Sequence, residues 1–180
     1  MNYIKNIGEK SLKAFENLKN VEHSKIKRAL KEYASLVKKN KFKILRENSK
    51  DIKKAKRKKL IDRLMLNSAK INQIVSSIKT IEKFKNPVGQ VLSKWKRSNK
   101  IKIEKVSIPI GVICVIYESR PNVTADVAAL CLKSGNSVIL RGGSDAYYTN
   151  RFLAKLFRKA LRKNKIDENC VQFILSLIHI

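Results

Sequence analysis

Two histidines, three cysteines and fourteen acidic residues are all that 180 positions contain of those types, and each scarcity removes a class of function. His23 and His179 stand at opposite ends of the chain, so a histidine-based metal site is not expected. Cys114, Cys131 and Cys170 are odd in number, far apart, and form no Cys-x-x-Cys pair. That pattern suits a reducing compartment better than a disulfide framework. No apolar run approaches the roughly 20 residues of a membrane-spanning helix. Met1–Lys5 leads into a mixed polar helix with no signal-peptide core, so a cytoplasmic location without a membrane partner is expected. No Gly-x-Gly-x-x-Gly follows the first candidate strand of the central region, so the usual dinucleotide fingerprint is missing as well.

The shortage of acid leaves 41 Lys and Arg against 14 Asp and Glu, a net charge of +27. Such a surplus suggests a nucleic-acid partner. Here, however, lysine is spread along whole helices as the solvated residue and is not gathered beside aromatics. Even Lys50–Lys59, where seven of ten residues are basic, reads more simply as a solvated face. Weak, salt-sensitive adsorption to polyanions follows from the charge alone; a specific nucleic-acid site does not.

With 43% hydrophobic residues the chain is long enough for one domain with a core. The first half is helical by periodicity. Ile4, Ile7, Leu12, Phe15 and Leu18 make one apolar stripe; Ile26, Ala29, Leu30, Tyr33, Leu36 and Val37 make a second, with Ser24 as a candidate N-cap. Residues 42–60 continue with a sparse face of Ile44, Leu45, Ile52 and Ala55. Asn67 or Ser68 caps a further helix carrying Ile71, Ile74, Val75, Ile78 and Ile81, and Asn86-Pro87 ends that helical run. The period then drops to two over 101–106, pairing with 88–96 across a turn at Ser98-Asn99.

The chain is organised around residues 108–144. Ile110–Tyr117 is apolar and β-branched, suiting a strand covered on both faces. Val123, Val127, Leu130 and Cys131 recur at helical spacing, and Ser137–Leu140 is a second strand. The resulting strand–helix–strand unit implies a parallel sheet. Ligands of such sheets collect beyond the carboxyl ends of the strands. Arg120-Pro121-Asn122 and Arg141-Gly142-Gly143 both fall on that rim. Asp145 opens a helix through Lys163, and Val171–Ile174 begins another strand. Cys114 and Cys131 read as small buried apolar residues, not as nucleophiles.

Pro109–Ala146, PIGVICVIYESRPNVTADVAALCLKSGNSVILRGGSDA, resembles the glutamate-5-semialdehyde dehydrogenases, also called gamma-glutamyl phosphate reductases, of the aldehyde dehydrogenase superfamily. Asp62-Arg63-Leu64 and Asn86–Val91 are weaker echoes, and the likeness runs from the first helix to about Ile174. It implies an α/β fold: a helical amino-terminal region (1–87), a β-hairpin in the oligomerisation region (88–107), and an incomplete Rossmann-like, parallel-sheet nucleotide-binding portion of aldehyde dehydrogenase type (108–180). It also implies NADPH-dependent reduction of L-glutamate 5-phosphate to L-glutamate 5-semialdehyde in proline biosynthesis, by a homo-oligomer when full length. Members of the family are longer and carry their nucleophilic cysteine downstream. An amino-terminal fragment, inactive alone, is therefore expected; residues 175–180 do not match the family's continuation.

By the same resemblance, Asn122 is an oxyanion donor; the reading from residues alone makes it a helix N-cap, and both stand. Arg141 is placed against the coenzyme, its guanidinium suiting a 2′-phosphate, with Gly142, Gly143, Tyr117 and Pro121 beside it; the alternative is a solvated turn. Arg120 either holds an anionic substrate group or pairs with Glu118. Trp95 is an interface residue or ordinary hairpin packing. No metal is implied. Two rivals remain: another member of the superfamily, or a basic nucleic-acid-binding module with no enzymatic role.

Overall fold

The computed structural model describes residues 2–55 and 61–174. The second half of the basic run, at 56–60, and the unmatched tail at 175–180 lie outside the described residues. Helices α1 (Asn2–Leu18), α2 (His23–Lys39), α3 (Lys41–Lys54), α4 (Ile61–Leu64) and α5 (Ser68–Lys83) come first. A hairpin of β1 (Val91–Lys96) and β2 (Lys102–Val106) follows. The chain then runs β3 (Val112–Tyr117), α6 (Pro121–Lys133), β4 (Ser137–Gly142), α7 (Tyr147–Lys163) and β5 (Val171–Phe173). Among the described residues no helix is long and apolar enough to cross a membrane.

Strands β3, β4 and β5 form a parallel sheet in that order, with Val112 opposite Ser137 and Val138 opposite Val171. Helices α6 and α7 connect successive strands and pack on one face, and α1 covers the other. Helices α2, α3 and α5 form an outer layer on α6 and α7. One core joins all of these elements: Leu30, Tyr33 and Val37 of α2, Ile71 and Ile78 of α5, Leu132 of α6, Leu140 of β4, and Leu153, Phe157 and Leu161 of α7 are buried together. The Tyr33 and Phe157 rings lie 4.3 Å apart at 49°, a tilted pairing worth about 0.5–1.5 kcal/mol beyond its buried area.

Several sequence expectations need correction. The cap of α2 is Glu22, not Ser24, whose hydroxyl instead donates to the Glu22 carboxylate. On α1, Ile4 and Leu12 are exposed, and Ile7, Ala14, Phe15 and Leu18 carry the packing. On α6 the inward face is Thr124, Ala125, Ala128, Ala129, Cys131 and Leu132; Leu130 is exposed. The small residues let α6 lie close to its neighbours, so the larger Val123, Val127 and Leu130 mark its flank. Strand β3 is not covered on both faces. Among the described residues it is the edge of the sheet, with Ile116 at 71% exposure and Cys114 exposed rather than buried, and Ile110 just before it at 85%. Asn67 does cap α5, its side chain accepting from the Lys70 amide at 2.8 Å.

Two buried polar residues of α3 tie distant segments together. Asn48 donates to the Leu64 carbonyl (2.9 Å) and accepts from the Leu66 amide (2.8 Å). Asp51 accepts from the amides of Tyr148 (2.9 Å) and Thr149 (2.8 Å) and from the Thr149 hydroxyl (2.5 Å). Asp51, not Asp145, therefore satisfies the amino end of α7; Asp145 sits in a single 3-10 turn ahead of it. The turn from α6 into β4 needs Gly135, which has φ +73°, and a Cβ there would come within 2.9 Å of Pro109.

Candidate functional site

The carboxyl end of β3 delivers Glu118, Ser119 and Arg120 to the rim, and Pro121 opens α6 at its first position, where a missing amide costs nothing. Arg120 is the N-cap residue, without a side-chain capping bond. Asn122 thus lies inside the first turn and is not the cap. It is exposed, and it faces a cleft of about 470 Å³ between α6 and the α4–α5 segment. The opposite wall carries Asp62, Arg63, Lys70, Gln73 and Ser77, and Asp126 lies one turn along α6 from Asn122.

The polar groups of this cleft are arranged in sets. Arg63 pairs with Glu118 at 3.0 Å, and the Arg120 Nε lies 3.9 Å from the same carboxylate oxygen. Sequence reading foresaw only the second of these contacts. The Lys70 ammonium donates to the carbonyls of Asp62 (3.0 Å) and Met65 (2.7 Å), closing the loop between α4 and α5. Ser77 donates to Asp126 at 2.7 Å. Asn48, through Leu64 and Leu66, fixes the segment that holds Arg63. The cleft can receive an anion at the arginine end and presents an oriented carboxylate at the other. Sequence reading missed Arg63, Lys70, Ser77 and Asp126 as site residues; the Asp62-Arg63-Leu64 echo was the available signal.

The second part of the rim follows β4, which runs two residues further than expected and includes Arg141 and Gly142. The Arg141 Nε is buried and has no acceptor among the described residues. A Cβ on Gly142 would crowd the Asn150 amide and meet the Tyr117 ring at 3.1 Å, and one on Gly143 would crowd the Ser119 hydroxyl. A side chain at either glycine would thus press on these neighbours, which would have to shift to admit it. The Tyr117 hydroxyl is hydrogen-bonded to Thr124 at 2.6 Å, and burial pushes the phenol up to about 12. Pro121 is buried.

Burial pushes the Cys131 thiol up to about 11 and the Cys170 thiol up to about 12, so both stay protonated near neutrality and neither is an activated nucleophile. No group of three His, Cys, Asp or Glu side chains among the described residues is placed to hold a metal ion.

No protein-family profile matches the chain. The gamma-glutamyl phosphate reductase of Desulforamulus reducens is 42% identical over 180 residues, a match covering 98% of this chain and 43% of that protein. The chain is a relative of the gamma-glutamyl phosphate reductases. The crystal structure of the Thermotoga maritima gamma-glutamyl phosphate reductase superposes with a TM-score of 0.91 at 36% identity, over 97% of this chain and 43% of that one. The fold is that of the aldehyde dehydrogenases. A glyceraldehyde-3-phosphate dehydrogenase from Methanocaldococcus jannaschii, solved in complex with NADP, shares it at 17% identity and TM-score 0.68, over 94% of this chain and 35% of its own. The chain thus spans less than half the length of the reductases that it matches.

Proposed function

We propose that this chain carries the coenzyme rim and one wall of the substrate cleft of a gamma-glutamyl phosphate reductase, whose full-length form reduces L-glutamate 5-phosphate to L-glutamate 5-semialdehyde with NADPH. The reading rests on one observation: Asn122, Arg63 and Arg120 line a single cleft at the sheet's rim, in a chain 42% identical to such a reductase. Guanidinium groups present planar forks suited to phosphoryl oxygens. The Asn122 amide donates to an oxygen as charge develops on it, without titrating itself. The buried thiols of Cys131 and Cys170 are not activated, and by the family likeness the attacking thiolate belongs to the part of the relatives that this chain does not span.

NADPH, when bound, supplies the hydride. By the family likeness Arg141, at the carboxyl end of β4, faces a phosphorylated coenzyme, and its Nε has no acceptor among the described residues. Tyr117 and Pro121 support that rim from within, Tyr117 through its contact with Thr124 and its ring against Gly142. The hairpin's exposed Leu92, Trp95 and Val106 suit burial against a second copy, and make the full-length enzyme a homo-oligomer in this reading.

A chain completed to the relatives' length should oxidise NADPH only when L-glutamate 5-phosphate is present; turnover of plain aldehydes and none of the acyl phosphate would overturn the assignment. In that protein Arg141→Ala should weaken NADPH about tenfold to a hundredfold and leave NADH nearly unchanged, since a charge-assisted hydrogen bond is worth roughly 1.5–3 kcal/mol. Arg141→Lys should lose only part of the effect. Equal losses for both coenzymes would end the 2′-phosphate contact.

A further inference from the structure

The cleft is lined by charge of both signs, Asp62, Arg63 and Lys70 on one wall and Arg120 and Asp126 on the other. Arg63 and Arg120 meet at Glu118, beside the start of α6. Asp126 stands further along the same helix, its carboxylate held by the Ser77 hydroxyl at 2.7 Å. No lysine or arginine pairs with Asp126 among the described residues, although the chain carries a net charge of +27. In so basic a protein, an oriented carboxylate lining a cleft without a cationic side-chain partner leaves its charge available to a ligand.

The spacing gives that cation a place in a ligand. Asn122 and Asp126 are four residues apart on one helix face, about 6 Å at 1.5 Å per residue. In a five-carbon amino acid, four bonds separate the C5 carbon from the α-nitrogen, about 5 Å when extended with bonds of ~1.5 Å. We propose that Asp126, positioned by Ser77, receives the α-ammonium group of a ligand whose C5 oxygen lies at Asn122 and whose terminal anion lies at Arg63 and Arg120. The cleft then selects ω-anionic α-amino acids over the dicarboxylic acids that lack an amino group. The assignment rests on the reductase reading for the identity of the terminal group, though not for recognition of the amine. Asp126 acts here by contact with the ligand, and Ser77 acts through Asp126.

The chain as it exists tests this by calorimetric titration with L-glutamate and with glutarate, the same skeleton without the amine. Wild type should bind L-glutamate at least tenfold more tightly. Asp126→Asn should close that gap by weakening L-glutamate and sparing glutarate, and Ser77→Ala should close it in part, so the result does not hang on one variant's fold. No binding of L-glutamate, equal binding of the two ligands by wild type, or a gap that survives both substitutions would overturn the proposal. A non-hydrolysable 5-phosphonate analogue of L-glutamate 5-phosphate separates the two readings. If it binds no better than L-glutamate while the amine discrimination persists, the acyl-phosphate reading fails and the ammonium subsite stands.

Discussion

In a chain of the relatives' full length, Asn122→Ala should lower kcat for L-glutamate 5-phosphate by about 100- to 1000-fold with a small change in KM, the usual consequence of removing one oxyanion donor, worth about 2.7–4 kcal/mol. The structure makes this a clean test. Arg120, not Asn122, is the cap residue of α6, and the Asn122 side chain is exposed. The substitution therefore removes no capping bond, and stability should stay within about 0.5 kcal/mol of wild type, as for surface positions generally. Asn122→Asp should be at least as damaging, because a carboxylate repels the charge that the amide stabilises. A fall in melting temperature accompanied by less than a tenfold loss of kcat would make Asn122 a structural residue only.

Asp51→Ala should cost about 3 kcal/mol of folding free energy. The change leaves three donors, the Tyr148 and Thr149 amides and the Thr149 hydroxyl, without acceptors at a buried helix end, and each orphaned group costs about 1–3 kcal/mol less whatever water recovers. Asp51→Asn should cost far less, since one amide oxygen remains and no charge is buried. Burial raises the Asp51 carboxyl above its ordinary value, against the opposing hydrogen bonds from Thr149 and Tyr148. Its folded-state pKa then exceeds the unfolded value of about 3.9. Within that window the folded state binds more protons, so stability declines as pH rises from about 4 through the raised pKa. Denaturant titrations of wild type and Asp51→Asn across this range should diverge on the acid side, with wild type gaining more as pH falls. Parallel curves would show that the carboxyl titrates as it does in the unfolded chain.

The elements visible in the sequence were those whose burial is apolar and periodic. The stripes of α2 and α5 and the second strand of the central unit came through because Leu30, Tyr33, Ile71, Ile78 and Leu140 record burial directly in their side chains. Helix α6 was legible as a helix but not in its orientation, because Ala125, Ala128 and Ala129 carry the contact and alanine is a weak marker of a buried face. Strand β3 has the composition of a doubly covered strand and lies at an edge; composition reports what a surface can pack against, not whether anything packs there. Asn48 and Asp51 were invisible, since their partners lie 16 and 98 residues away and nothing local distinguishes them from the solvated polar residues around them. The same holds for the cleft. Asn122 and Arg120 were named from the rim rule and the family likeness. Ser77 reaches the cleft only through the packing of α5 on α6 and Arg63 only through the placing of α4 beside Glu118, while Asp126, on the same helix as Asn122, has no local signal to mark it.

The uncovered edge of β3 bears on how copies of this chain behave toward one another. An unpaired strand edge with apolar neighbours is a template on which a second β-strand can grow, the first step towards amyloid-like stacking. Ile110, Cys114 and Ile116 supply such a template here. The same polypeptide carries a charge of +27, and like charge on every copy opposes close approach in dilute buffer. At 0.1 M salt the screening length falls to about 10 Å, comparable to the distance at which two edges begin to meet. The lysine excess thus opposes association through the edge that β3 presents among the described residues, and that opposition weakens as ionic strength rises.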